Sequence, residues 1–233
     1  MVSIVIPTLN EEKYLPILLQ SIKKQDFKDY EIIISDAFSI DKTIEIAKEY
    51  GARVIRDKKK LPARQRNNGV KIAKGEIILF LDADTKLPDD FLLTTYSDFT
   101  NKNLTIAGFY LIFNSPSFIY RIFEKVYHSV CYLGQYFFPA SVGVGIIVKK
   151  LEHEKIGGFD ESIYIGEDYD YVRRISKKGK YRMIKGTKLF FSVRRLDKEG
   201  VAIVLWKWLK GGIYFIIKGP IRKKIVKYDF GDY

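Results

Sequence analysis

Two carboxylates one residue apart, Asp82 and Asp84, follow an uninterrupted apolar run, Ile77-Ile78-Leu79-Phe80-Leu81. Acids placed this closely repel one another unless a positive charge lies between or beside them. A hard divalent cation is the natural candidate, because Mg2+ and Mn2+ take oxygen ligands and share them with substrate phosphates. The bland alternative is an acidic turn with an N-capping Asp. Other residues able to do chemistry lie along the chain: Thr8 and Glu11 after Pro7, Asp36 and Asp41, Arg64, the acid pair Glu167-Asp168, and Arg194-Arg195.

The elements that must position these groups follow from periodicity. The run before Asp82 reads as a strand buried on both faces, as in a parallel sheet covered by helices. Open sheets of that kind bind ligands at the carboxyl ends of their strands. Earlier in the chain, Ser3–Pro7, Tyr30–Ser35 and Ala52–Arg56 predict strands. Helices are predicted to about Lys24, from Asp41 to Tyr50 with Gly51 as a stop, and over Pro62–Ala73. Strand and helix alternate with short loops, which implies a doubly wound sheet. Thr8, Glu11, Asp36, Asp82 and Asp84 are then expected on one rim.

The second half changes character. Leu87–Phe99 predicts a helix and Leu104–Asn114 an extended segment. Ser117–Gln135 has apolar residues at Ile119, Ile122, Phe123, Val126, Val130 and Leu133, the spacing of an amphipathic helix. Val142–Lys149 predicts a strand whose Gly143 and Gly145 let a ligand approach the backbone. Gly157–Glu161 reads as a turn, and Glu167-Asp168 opens a helix to about Lys178, where carboxylates suit the dipole. Tyr181–Ile184 and Leu189–Val193 predict strands, with Arg194-Arg195 beyond. His128 is expected on the amphipathic helix and His153 in a surface turn.

The 233 residues suit one large domain, or one domain with an appendage, and 47% hydrophobic content suffices for a core. The single cysteine, Cys131, excludes an internal disulfide framework and favours a cytosolic setting. No basic leader precedes the first strand-like run, so no signal peptide is expected. A net charge of +12 calls for an anionic partner. Lys198–Lys227 holds eight Lys/Arg against one acid, Glu199, interleaved with Trp206, Trp208, Tyr214 and Phe215. That mixture favours a membrane interface over nucleic acid. Val201–Ile217 is interrupted by Lys207, Lys210, Gly211 and Gly212, so an in-plane helix is expected rather than a spanning one.

Several segments in a fixed order resemble family 2 glycosyltransferases of the GT-A fold. They are Ile4–Glu12, Ser35–Asp41, Ala63–Gly69, the Asp82-Ala83-Asp84 motif, Gly157–Glu161 and Glu167-Asp168. The similarity runs from Val2 to about Arg195. It implies a Rossmann-like mixed sheet over residues 1–196, with a nucleotide half (1–86), an acceptor half (87–196) and a basic aromatic tail (197–233) of interfacial helices.

The resemblance implies roles. Pro7, Thr8, Glu11, Asp36, Arg64 and Asp82 would form the donor-nucleotide site. Asp36 would accept from a ring N–H of uracil or guanine, and Arg64 would fork onto a phosphate. Asp84 would bind Mn2+ or Mg2+. Asp168, assisted by Glu167, would be the general base of an inverting displacement, with Arg194 or Arg195 holding its pKa down. Were the acceptor a lipid phosphate, no base would be needed. Gly143, Arg194 and Arg195 would lie on the acceptor and phosphate side. Neither histidine lies where many GT-A enzymes place a further metal ligand. The implied partners are a nucleotide-sugar donor, with GDP-mannose slightly ahead of a UDP-sugar, and a lipid-linked or glycan acceptor. A peripheral position at the cytosolic membrane face is implied, and no nucleic acid.

Two rival readings exist. Asp82-Ala83-Asp84-Thr85 also fits the nucleophile motif of haloacid-dehalogenase-type phosphatases, although there the pair usually ends the first strand. A non-catalytic membrane-surface binding protein would keep the fold and ignore sugar nucleotides.

Overall fold

The structure, a computed structural model, describes residues 1–113, 115, 117–139 and 143–200, and in the tail residues 203, 206, 210, 214, 215 and 218–222. Of Arg195 only the backbone is described. In chain order the elements are β1 (Val2–Thr8), α1 (Leu15–Lys23), β2 (Tyr30–Asp36), α2 (Thr43–Glu49), β3 (Arg53–Arg56), α3 (Pro62–Ile72) and β4 (Ile77–Leu81). The second half adds α4 (Phe91–Asn101), β5 (Ile106–Phe113), α5 (Phe118–Phe137), β6 (Gly145–Lys149), α6 (Lys150–Lys155), α7 (Glu167–Ser176), β7 (Tyr181–Phe191) and α8 (Arg194–Glu199).

The strands form one mixed sheet in the order β3-β2-β1-β4-β6-β5-β7. β1, β2, β3 and β4 are parallel, β6 runs antiparallel to β4 and β5, and β5 and β7 are parallel again. The carboxyl ends of β1, β2 and β4 therefore share a rim with the start of β6. Period-2 alternation explains the layers. Ile4, Ile6, Ile32, Ile34, Leu79 and Leu81 pack with α1, α2 and α4 on one face. Val5, Ile33, Ile78 and Phe80 pack with α3 and α7 on the other. Phe80 is fully buried and meets Phe159 edge-on at 5.1 Å, while Phe159 stacks on Tyr171 at 3.8 Å. Burying side chains of this size contributes about 1.5–3 kcal/mol each.

Several expectations need correction. The helix predicted from Leu87 starts at Phe91, because Pro88 disfavours helix at the residue before it. Phe91 N–H instead donates to the Pro88 carbonyl, closing a turn. The two strands predicted in 181–193 are one strand, β7, whose pairing with β5 shifts register between Phe109 and Tyr110. Residues after it coil into α8 rather than staying extended. The strand predicted from Val142 starts at Gly145. His153 is not in a surface turn: it lies in α6, 5% exposed. Its Nδ1 lies 2.9 Å from the Tyr171 hydroxyl. Burial, aided by Arg174 and Lys150, pushes its pKa down to about 4, so it is neutral and structural.

The in-plane tail helix and Arg195's side chain lie mostly or wholly outside the described residues. Three described residues of the tail, Phe215, Ile221 and Arg222, touch the domain. Ile165 and Ile221 form an antiparallel bridge, Arg222 pairs with Asp160 at 2.9 Å, and Phe215 lies 6.0 Å from the Tyr169 ring. Among the described residues no helix is long and apolar enough to cross a membrane.

Close packing of α3 on β1 rests on Gly69, where a Cβ would come within 2.3 Å of Val5 Cγ1. Val5 is fully buried and cannot retreat. Gly69→Ala is expected to lower stability by roughly 1–3 kcal/mol through overpacking. A urea denaturation midpoint equal to wild type would contradict the helix–strand packing described here.

Candidate active site

β4 ends by delivering Asp82 and Asp84 to the rim, and the antiparallel neighbour β6 begins beside them, with Asp82 N–H donating to the Val144 carbonyl. Each acid of the pair meets its own arginine. Arg66 Nη2 donates to Asp82 Oδ1 at 2.9 Å, and Nη1 donates to Glu167 Oε1 at 3.0 Å. Arg194 Nε lies 3.0 Å from Asp84 Oδ2. The Arg194 fork also grips Glu11, with Nη1 to Oε2 at 3.0 Å and Nη2 to Oε1 at 2.9 Å. Its guanidinium lies over the Tyr14 ring at 4.5 Å. Acids and arginines thus alternate along the rim as Glu11, Arg194, Asp84 on one side and Asp82, Arg66, Glu167 on the other.

The start of α7 is tied to this row through Gly143. Its N–H donates to Asp168 Oδ2 at 2.6 Å and its carbonyl accepts from Arg66 at 3.3 Å. A Cβ at Gly143 would sit 2.8 Å from Arg66 Nη2 and 3.3 Å from Asp168 Oδ2. The glycine therefore admits the protein's own side chains, where the sequence suggested room for a ligand. α3 also clamps a second loop, the one between α6 and α7. Asn67 donates to the Phe159 carbonyl and to Glu161 at 2.9 and 3.1 Å, and accepts from Phe159 N–H at 2.8 Å.

Burial shifts the site's titrations. Desolvation raises the Asp82 carboxyl to about 6, with Arg66 opposing and Asp84 adding to the rise. Desolvation raises Asp168 to about 7, Glu167 adding and Arg66 opposing. The cation set against Asp168 is Arg66, where the sequence pointed to Arg194 or Arg195, and burial outweighs it; the Arg195 side chain lies outside the described residues. Arg194 goes the other way: burial lowers its pKa, but Glu11 and Asp84 outweigh that and keep it charged.

Not every expected residue reaches the open rim. Arg64 is held by Asp57 at 2.7 Å and Glu161 at 3.1 Å, so its fork joins two loops. The Asp36 carboxylate is fully buried. It accepts from Thr8 Oγ1 at 3.0 Å, from Ser39 Oγ at 2.5 Å and from Ser39 N–H at 2.9 Å, with Arg56 at 3.4 Å. It organises the loop, and what stands at the surface above it is Phe38, in a left-handed backbone (φ 62°) with Arg56 over its ring at 4.4 Å. Pro7 and Thr8 are likewise buried beneath the rim. Sequence reasoning missed Arg66, 3% exposed, although it lies inside the Ala63–Gly69 segment.

A divalent cation fits this chemistry in one way. Among the described residues no three His, Cys, Asp or Glu side chains cluster tightly enough to cage a metal. Asp84 already faces a cation, Arg194, and such a carboxylate suits a metal that takes its remaining oxygens from substrate phosphates. His128, whose Nε2 lies 2.8 Å from the Leu111 carbonyl, and His153 are both engaged elsewhere.

Comparison with known proteins follows the same lines. The model of glycosyl transferase family 2 matches residues 3–142, and that of glycosyl transferase family group 2 matches residues 77–210. A relative from Methanococcus voltae, a dolichyl N-acetyl-alpha-D-glucosaminyl phosphate 3-beta-D-2,3-diacetamido-2,3-dideoxy-beta-D-glucuronosyltransferase, is 29% identical over 76% of this chain and 62% of its own. A Campylobacter jejuni GalNAc(5)-diNAcBac-PP-undecaprenol beta-1,3-glucosyltransferase is 37% identical over 40% of this chain and 32% of its own. The chain thus spans less than two thirds of the length of these relatives. Among solved structures, Staphylococcus aureus TarS in complex with UDP superposes with a TM-score of 0.67 at 19% identity, covering 82% of this chain and 60% of that one. The Pyrobaculum calidifontis mannosyltransferase PcManGT with GDP-Man and Mn2+ gives 0.68 at 18% identity, covering 82% and 56%. At such identities these two show the shared GT-A fold.

Arg66 is the test of the site's electrostatics. Arg66→Met leaves Asp82 and Glu167 facing without their shared cation. Breaking a buried pair costs roughly 3–5 kcal/mol, and the lower end applies because Asp82 is 32% exposed. A carboxyl whose folded pKa is raised penalises the fold when ionised, so the deficit is smallest near pH 4 and grows as pH rises through 6. Denaturation across that range checks it; a pH-independent deficit would contradict the pairing.

Proposed function

We propose, from the premise that this chain belongs to glycosyl transferase family 2, that it moves a sugar from a UDP- or GDP-sugar to a membrane-borne, lipid-linked acceptor at the cytosolic face. The anomeric centre inverts and a divalent cation assists. The observation that carries this reading is the rim itself: Arg194 joins Glu11 to Asp84, and Arg66 joins the neighbouring Asp82 to Glu167, next to Asp168. The two neighbours with bound nucleotides support either nucleobase, and the lipid-linked acceptors in the relatives' names support the acceptor class.

Mn2+ or Mg2+, when bound, supplies Lewis-acid charge to the diphosphate as it departs. Asp84 is the carboxylate to hold it. Arg194 adds a second, fixed positive charge on the same side, where charge develops in the transition state. Asp82, held by Arg66, presents its second oxygen toward the donor sugar and ribose. Pro7, Thr8 and Asp36 shape the floor of the base pocket from below, and Glu11 reaches the donor only as Arg194 releases it. Asp168 accepts the proton of the attacking hydroxyl. A base with a pKa near 7 combines an ionised fraction at neutral pH with real proton affinity. The Gly143 N–H aims its carboxylate and Glu167 anchors Arg66 beside it.

A screen of sugar nucleotides for Mn2+-dependent hydrolysis tests the reaction class; release of phosphate from phosphoesters instead would favour the dehalogenase-type alternative. Asp84→Ala is expected to abolish metal-dependent turnover. With a hydroxyl acceptor, kcat/KM should rise about tenfold per pH unit below 7 and flatten above, as Asp168 loses its proton. Asp168→Asn should remove that dependence and most of the rate while sparing donor binding. Wild-type turnover in Asp168→Asn would strip the residue of the base role.

A further inference from the structure

α5 is amphipathic, but it wears its apolar stripe outward. Phe118, Ile122, Val126, Val130, Leu133 and Phe137 recur every three or four residues and are between 48% and 79% exposed. At 100° per residue they occupy about a third of the helix circumference along roughly 30 Å. The residues that pack inward are others: Tyr120, Phe123, Tyr127 and Gln135, the last accepting from Met183 N–H. A water-exposed surface rarely keeps so long an aliphatic face without a partner.

The flank of that stripe is cationic. Arg121 and Lys125 are exposed on the helix. Across from it Lys185 lies over the Tyr132 ring at 4.6 Å and Arg182 over Tyr136 at 4.9 Å. The one acid on this flank of the helix, Glu124, is 3.8 Å from Lys188. Between helix and strand opens a cleft of about 560 Å³ lined by Tyr110, His128, Tyr132, Leu133, Lys185 and Lys188. Cations and tyrosines beside an aliphatic stripe match the headgroup layer of an anionic bilayer, with the phosphate in the cleft and acyl chains along the stripe. A second copy docked symmetrically would set these cations against themselves.

We propose that the outer face of α5, with the Lys185/Lys188 cleft, is the surface by which this chain docks on an anionic lipid bilayer. This rests on the membrane-borne acceptor proposed above and moves the contact from the basic tail to a helix beside the site. Tyr120 Oη donates to Asp197 Oδ1 at 2.7 Å. Asp197 belongs to α8, the helix whose Arg194 grips Asp84. The start of the stripe therefore lies one helix away from the catalytic rim, and docking along it brings the bilayer surface to where a lipid-linked acceptor must arrive.

Co-sedimentation of the full chain with phosphatidylcholine vesicles, with and without phosphatidylglycerol, tests the proposal. Wild type should bind the anionic vesicles and release as salt rises. Lys185→Gln/Lys188→Gln should weaken partitioning about fivefold per lysine, and Val126→Asp/Val130→Asp should abolish it. Circular dichroism and nucleoside-diphosphate binding should stay as in wild type, since none of the four residues touches the rim. Wild type left in the supernatant, or variants that bind as wild type, would overturn the docking surface. So would a dimer in sedimentation velocity that Val126→Asp/Val130→Asp dissociates. Vesicle binding without nucleotide binding would instead leave this surface standing and sink the proposed reaction.

Discussion

Five carboxylates, Glu11, Asp82, Asp84, Glu167 and Asp168, converge on one edge of the sheet, and their mutual repulsion is the constraint that the site is built around. Two arginines answer it from opposite directions. Arg66 rises from α3 and reaches across to Glu167 of α7. Arg194 comes from α8 at the far end of the chain and reaches back to Glu11, 183 residues earlier. Without these contacts between distant parts of the chain, Glu11, Asp84 and Glu167 would leave uncompensated charge near the protein interior. The charge row therefore ties the start, the middle and the end of the sequence together.

The two arginines differ in what they permit. Arg66 is buried, has both ends committed, and behaves as a fixed part of the floor. Arg194 is partly exposed on a six-residue helix, and its Nε faces Asp84. A metal-bearing diphosphate would bring its own cation and its own anionic oxygens, so the guanidinium can exchange carboxylate partners for phosphate ones at little electrostatic cost. Desolvation raises Asp82 and Asp168 for the same reason that it makes the arginines necessary: protein crowds their carboxylates, even though part of the Asp82 side chain still meets solvent.

Much of this was legible in the sequence. Two-residue alternation in β1, β2 and β4 and the capping and stop signals around α2 and α3 gave a doubly wound sheet, and the acidic motifs at strand ends placed most of the rim. The rest depended on facts that local pattern does not hold. Arg64 and Arg66 sit two residues apart on α3, pointing to different sides, and only the tertiary fold decides which one is buried. Asp36 ends a strand as expected, yet Ser39 turns back beneath it and occupies its oxygens. The amphipathic period of α5 was plain, but periodicity does not say which side meets protein. The aliphatic stripe faces out and an aromatic one faces in. His153 looked like a surface residue because its segment is charged, whereas the ring is buried against Phe80, Phe159 and Tyr171.

The most direct measurement of the central claim is calorimetric titration of UDP and of GDP into the protein, each with and without Mn2+. The charge row predicts that one of them binds, that Mn2+ tightens it at least tenfold, and that replacing Arg194 by Met weakens binding while leaving the preference between the two nucleotides unchanged. Absence of binding by both nucleotides in the presence of Mn2+, from protein shown to be folded, would contradict it.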